Sequence, residues 1–156
     1  MDSSSEGASG PERTAFAPAQ FASAFLKAAG LAIEEVSGAR VVGHIHLGPE
    51  HHTPWGIVHG GVYSAAVESA TSIGACAAVS GQGQVAVGLT NTTHFLRSLT
   101  GGTVRVEATA LYQGRSHQLW RAEITDEPGR LVAHGEVRLQ NVPVPPPTAP
   151  PPTAPP

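Results

Sequence analysis

Residues 62–79, VYSAAVESATSIGACAAV, contain a single charged side chain, Glu68, and no hydrophilic stripe. A helix without a polar face has to be buried on nearly every side. Ala65, Ala66, Ala70, Gly74, Ala75, Ala77 and Ala78 are small enough for strands or a second helix to approach closely. Whatever this chain folds into must therefore surround that segment. A lipid bilayer is a poor candidate for the surroundings, because a carboxylate near the centre of a lipid-facing span is rarely tolerated.

The rest of the chain supplies the cover. After Gly81-Gln82-Gly83, four segments alternate apolar and polar residues: QVAVGLTNTTHFLRS, GTVRVEATALYQ, SHQLWRAEITD and RLVAHGEVRLQ. Turn signals separate them at Thr100-Gly101-Gly102, Gln113-Gly114-Arg115 and Asp126-Glu127-Pro128-Gly129, which predicts an antiparallel meander with one apolar face. Upstream, residues 18–30 (PAQFASAFLKAAG) have helical spacing with Gly30 as a stop, and LAIEEVSGARVVGHIHLG reads as two strands joined at Ser37-Gly38. PEHHTPWG is a Pro/Gly-bounded loop leading to the long helix, which begins near Val58. The architecture these elements predict is α+β: an antiparallel sheet wrapped around one buried helix.

With 156 residues, 40% hydrophobic and 13% charged, the chain suits one packed domain. Residues 14–142 hold it, between a Ser/Gly-rich tail at 1–13 and a Pro-rich tail at 143–156 whose PxxP repeats favour polyproline II; both tails are expected to be disordered. A net charge of −3 with no basic run gives no reason to expect nucleic acid. The single Cys76 excludes an internal disulfide, and the N-terminus lacks a basic, then apolar, leader pattern, so a cytoplasmic setting is expected.

Glu68 is the residue that asks for an explanation. An ionised carboxylate in an apolar helix costs several kcal/mol unless it is paired or hydrogen-bonded. It either meets an arginine, reaches solvent at a helix edge, or works as a general base or nucleophile. His59-Gly60-Gly61 sits at the start of the helix, where free N–H groups and the macrodipole favour developing negative charge, and Gly60 and Gly61 allow close approach. Such a helix end can serve as an oxyanion hole. Gly60 and Glu68 are eight positions apart, about 12 Å along a helix. One substrate carbon cannot touch both, so the two must come from different copies of the chain, facing each other across a two-fold axis. Ser72, at i+4 from Glu68, lies on the same helix face and can orient the carboxylate or its water; Thr71, at i+3, is the second choice.

This pattern resembles the hotdog-fold acyl-CoA thioesterases of the phenylacetic-acid-pathway type and their Arthrobacter-type 4-hydroxybenzoyl-CoA relatives. The likeness rests on HGG leading the helix, an acid nine residues after the His, and a following sheet containing HFLRSLTGG and YQGRS, over roughly residues 18–140. The resemblance implies the hotdog fold and hydrolysis of a CoA thioester carrying an aromatic or medium-chain acyl group. It further implies no cofactor beyond the coenzyme A of the substrate, an obligate homodimer, and often a homotetramer. By position, Glu68 matches the catalytic acid, Gly60 the oxyanion donor, His59 the motif His that supports the loop or thioester, and Ser72 the hydroxyl one turn after the acid. Six residues before the His the family usually holds Asn or Gln; here Thr53 stands there with His52 beside it, and either takes that polar role. Arg97 and Arg115 match places where basic residues flank the CoA entrance.

Other readings differ at identifiable features. His44, His46, His51, His52 and His59 lie close in sequence, but no adjacent Cys or Asp completes a ligand set, so no metal is expected. Cys76 on the buried helix reads as a small core residue. A non-catalytic acyl-CoA or lipid sensor of the same fold would have no use for Glu68, and a hotdog dehydratase acting on acyl thioesters would deploy a His–acid pair in a different motif.

Overall fold

The computed structural model describes residues 23–144. The element order is α1 (Ala24–Ala28), β1 (Leu31–Val36), β2 (Arg40–Leu47), α2 (Gly60–Val79), β3 (Gln84–Phe95), β4 (Gly102–Gln113), β5 (His117–Asp126) and β6 (Leu131–Pro143). Both proposed tails lie largely outside the described residues, as do residues 18–22 of the expected first helix. What is described of that helix is one short turn, capped by the Ser23 hydroxyl accepting from the Leu26 N–H. β6 runs one residue into the stretch assigned to the Pro-rich tail.

All six strands form one antiparallel sheet, in the order β1-β2-β4-β5-β6-β3, and α2 packs against every strand of it. The wrapped-helix architecture expected from the sequence is the one the chain adopts. Alternation works as predicted on β5, where Trp120, Ala122 and Ile124 face inward and Arg121 and Glu123 face out. Val41, Ile45, Val104, Val106, Val137 and Leu139 complete the shell around Ala66, Val67, Ala70 and Ala75. Gly74 permits the closest approach, for a Cβ there would sit 2.5 Å from Cη2 of Trp120. By length and hydropathy the segment Gly60–Gln82 would pass for a membrane span. Here a sheet covers it instead.

Two expectations need correction. The last four strands are not a simple meander: β4-β5-β6 are consecutive neighbours, but β3 pairs with β6 at the far edge, from Gln84 opposite Pro143 to Phe95 opposite Ala133. The Thr100-Gly101-Gly102 signal therefore ends a crossover, not a hairpin. Residues 96–101 cross the end of the sheet, with the Leu96 and Arg97 N–H groups on the Val132 carbonyl and the Val58 N–H on the Leu99 carbonyl. The same turn residues serve either connection, because they report a change of direction and not the partner strand.

The second correction concerns α2. Tyr63, Ala66, Val67, Ala70, Thr71, Ile73, Gly74, Ala75 and Val79 are buried, while Ser64, Ala65, Glu68, Ser69, Ser72 and Cys76 form a half-buried strip. A single six-stranded sheet is not wide enough to close around the helix. β3, beside the open strip, is an edge strand with Val87 43% and Leu89 46% exposed.

Candidate active site

The start of α2 is set by its cap. His59 has extended backbone and its Nδ1 accepts from the Gly61 N–H at 2.8 Å, which requires the tautomer protonated at Nε2. The Gly61 N–H is thereby occupied, and the Val62 N–H goes to the His59 carbonyl. The Gly60 N–H has no acceptor among the described residues, and it points out of the positive end of a 20-residue helix. Gly60 also has a packing reason to lack a side chain: a Cβ there would lie 2.8 Å from the Phe95 ring. Beside it, burial pushes the Tyr63 phenol up in pKa, so the ring is neutral.

Two turns further on, Glu68 is half-buried in the open strip. No cation pairs with it among the described residues, so the arginine partner considered from the sequence is not what holds it. Its Oε1 accepts from the Ser72 hydroxyl at 3.4 Å, and its Oε2 accepts from Nδ2 of Asn91 at 3.1 Å. Oε1 lies against Gly88 of β3, where any side chain would collide with it. Asn91 and Gly88 escaped the sequence reading because both fall in a strand read as ordinary sheet. The available signal was a glycine three residues before an asparagine, the only Gly-to-amide pair on the strand that proves to face the acid.

The remaining candidates divide. Thr71 is buried and its hydroxyl donates to the carbonyls of Val67 and Glu68, so it braces the helix and does not face the carboxylate. His52 is committed to the loop, its Nε2–H on the Thr100 carbonyl at 2.9 Å. The Thr53 hydroxyl is buried without a partner among the described residues. Arg97 and Arg115 are both exposed but at opposite ends of the sheet. Arg97 follows β3 beside Val132, at the end where α2 begins, and the Arg115 carbonyl accepts from Asn141 Nδ2 in the β4–β5 turn at the other end.

Each clustered histidine has its own partner: His44 the Glu34 carboxylate, His46 the Thr103 hydroxyl, and His51 the Gly48 N–H through Nδ1. Among the described residues, no three His, Cys, Asp or Glu come together as a ligand set. The Cys76 sulfur sits against both the N–H and the carbonyl of Ala86 on β3. A groove of about 300 Å³ on the outer face of the sheet, lined by His44, Arg105, Asp126 and Glu127 among others, contains none of the residues around Glu68.

The profile of the Thioesterase superfamily matches residues 56–133, which include both Gly60 and Glu68. The Mycobacterium tuberculosis protein Rv1847, a candidate esterase, is 47% identical over 93 residues, 58% of this chain and 66% of that protein; the match thus spans just under two thirds of that relative's length. Its solved structure superposes with a TM-score of 0.75 at 39% identity, covering 78% of this chain and 98% of that one. The 1,4-dihydroxy-2-naphthoyl-CoA hydrolase of Listeria monocytogenes is 33% identical over 103 residues, 66% of this chain and 83% of that protein. The thioesterase HI1161 of Haemophilus influenzae shares the fold, with a TM-score of 0.74 at 23% identity over 80% of this chain and 87% of that one.

Proposed function

Because the chain belongs to the thioesterase superfamily, we propose that it hydrolyses an acyl-CoA thioester, with Glu68 as the reacting carboxylate and the Gly60 N–H of a second copy as the oxyanion donor. The observation that carries this reading is the setting of Glu68. A carboxylate on an apolar helix that, among the described residues, pairs with no cation and is held by the neutral donors Ser72 and Asn91 is suited to take up a proton or attack a carbon.

The thioester carbonyl accepts from the Gly60 N–H at the positive end of α2, which stabilises the oxyanion of the tetrahedral intermediate. Water adds to the carbonyl carbon as Glu68 takes its proton; the C–S bond then breaks, the leaving sulfur takes that proton from Glu68 and departs as the thiol of coenzyme A, and the acid is released. In the alternative route Glu68 attacks first and water cleaves the resulting anhydride. His59 holds the first turn through Gly61, and Ser72 steadies Oε1. Between Thr53 and His52, Thr53 takes the polar role in the acyl pocket, since only its hydroxyl is uncommitted. Arg97 meets the CoA phosphates at the Gly60 end, and Arg115 lies too far off to share a phosphate with it within one protomer.

The same geometry supports a dimer. Gly60 and Glu68 lie about 12 Å apart along α2, so one thioester carbon reaches both only if they come from two helices. The β3 edge, unpaired among the described residues, and the half-buried strip of α2 beside it support this reading as a surface for a second copy, and pairing of two dimers is the assembly the family resemblance implies. The substrate class to try first is an aromatic acyl-CoA, in keeping with the naphthoyl ester for which the Listeria relative is named.

The test is thiol release from a panel of phenylacetyl-, hydroxybenzoyl-, dihydroxynaphthoyl- and medium-chain acyl-CoA esters, with Glu68→Gln as the control. Glu68→Gln is expected to lose about 10²- to 10⁴-fold in kcat while folding and dimerising normally. Full activity in Glu68→Gln, or a strictly monomeric active protein, overturns the proposal.

A further inference from the structure

β3 contains a bulge. Gly88 pairs with Leu139 and Thr90 with Arg138, leaving Leu89 without an opposite residue. In a regular strand, residues 88 and 91 would face opposite sides of the sheet. The extra residue re-phases the strand, so that Ala86 and Gly88 face the helix before the bulge and Asn91, Thr93 and Phe95 face it afterwards. The contacts follow that phase: Ala86 meets Cys76, Gly88 and Asn91 meet Glu68, and Phe95 meets Gly60.

Asn91 uses both of its donors and its oxygen in one arrangement. Its two Nδ2–H groups go to the Ser64 carbonyl at 3.2 Å and to Glu68 Oε2 at 3.1 Å, and its Oδ1 accepts from the Thr93 hydroxyl at 2.7 Å. Turning the amide over would set Oδ1 against the Glu68 carboxylate and the Ser64 carbonyl, which only accept, so these two enforce the donor orientation, while the Thr93 hydroxyl holds Oδ1 in place. Glu68 is thereby treated unequally. Oε2 is anchored by an oriented donor, while Oε1, lying where Gly88 lacks a side chain, has only the long Ser72 contact among the described residues.

We infer that Asn91 is a positioning residue: presented by the Leu89 bulge, oriented by the Ser64 carbonyl and steadied by Thr93, it anchors Oε2 of Glu68 and leaves Oε1 as the oxygen that takes the water proton or attacks the acyl carbon. This rests on the thioesterase reading of Glu68. Displacing a reacting group by about 1 Å can cost on the order of 100-fold, so the loss of the anchor is felt in turnover more than in binding.

The experiment compares wild type, Asn91→Ala, Asn91→Asp, Thr93→Val, Glu68→Gln and the double variant Asn91→Ala/Glu68→Gln on one acyl-CoA substrate that wild type turns over. Asn91→Ala is expected to lower kcat about 10- to 100-fold with KM changed by no more than about twofold, and with unchanged oligomeric state. Asn91→Asp, nearly the same size, puts an acceptor against Glu68 and should lose at least as much as the alanine variant; it also serves if the alanine variant does not fold. Thr93→Val should lose less, because the Ser64 carbonyl still enforces the orientation of the amide. In the Glu68→Gln background, Asn91→Ala should lower the residual rate no further. Wild-type kcat in Asn91→Ala or Asn91→Asp overturns the inference, as does an Asn91 effect that multiplies undiminished onto Glu68→Gln. If instead Glu68→Gln is as active as wild type, the thioesterase reading of Glu68 falls first and takes this inference with it.

Discussion

The two halves of α2 are built to different ends. Around its C-terminal half the buried polar side chains of the described residues are satisfied. Gln118, fully buried on β5, donates to the Ala75 carbonyl and to Asn141 Oδ1, and its own oxygen accepts from Trp120 Nε1 and Gln113 Nε2. Asn141 closes the β4–β5 turn by donating to the Gly114 and Arg115 carbonyls. A fully connected network of this kind locks one packing arrangement. Around the first half, the Gly60 N–H and the Thr53 hydroxyl lack acceptors or donors among the described residues, and Glu68 is held by two neutral donors beside an open strand edge. One end of the helix is complete within the fold, and the other is arranged to receive something from outside it.

That contrast predicts that variants separate into two classes. The largest effect belongs to the receiving end: Glu68→Gln should lose about 10²- to 10⁴-fold in kcat with its melting temperature unchanged or raised, read by thiol release and calorimetry on the same sample. Next is Trp120→Ala at the closed end, expected to cost about 3–5 kcal/mol of stability, because it empties a fully buried site and strips Gln118 of a donor. Measured in urea at a temperature where the variant still folds, it should leave KM and kcat of the folded protein near wild type; a selective collapse of kcat would mean that the halves are coupled. Gly74→Ala should be milder, about 1–3 kcal/mol from overpacking, with its Cβ forced onto Trp120 despite alanine's better helix propensity.

The smallest effect lies away from both halves, on the outer face of the sheet. The hydrogen bond from Arg40 holds the Glu107 carboxyl below its ordinary pKa, with Arg105 adding to it. A folded-state pKa lowered in this way contributes stability that is present above the unfolded value, about 4.3, and lost as pH falls through the folded one. Both side chains of the Arg40–Glu107 pair are more than a third exposed, so solvent screening limits the contribution to under about 1 kcal/mol. Melting curves between about pH 3 and 7 should fall more steeply on the acid side for wild type than for Glu107→Gln, while activity at neutral pH stays the same in both.

Much of this could be read from residue order. The long apolar helix, the alternation on β5, the HGG start and the lone acid are local patterns, each governed by periodicity or by the chemistry of a helix end, and the chain adopts them, though one strip of the helix stays half-buried where burial on nearly every side was expected. Three features could not be read that way. The β3–β6 pairing is a choice of partner strand, and the Thr100-Gly101-Gly102 turn is equally good for a hairpin or a crossover. The Leu89 bulge is a one-residue slip against β6, visible only when both strands are in register, and it decides that Asn91 faces Glu68. Gln118 looks like a polar break in an apolar row until Gln113 and Asn141 arrive from the two neighbouring strands to join Trp120 of its own.

By itself the sequence determined that a helix must be enclosed, that a sheet would enclose it, and that one acid and one helix start stand too far apart to act on the same atom within a chain. These follow from spacing along a backbone whose rise is constant. The tertiary structure alone decided which strand lies beside the acid, which oxygen of Glu68 is anchored, and which side of the helix stays open. Those depend on contacts between residues 20 to 70 positions apart, whose register is set by the packing of the whole sheet.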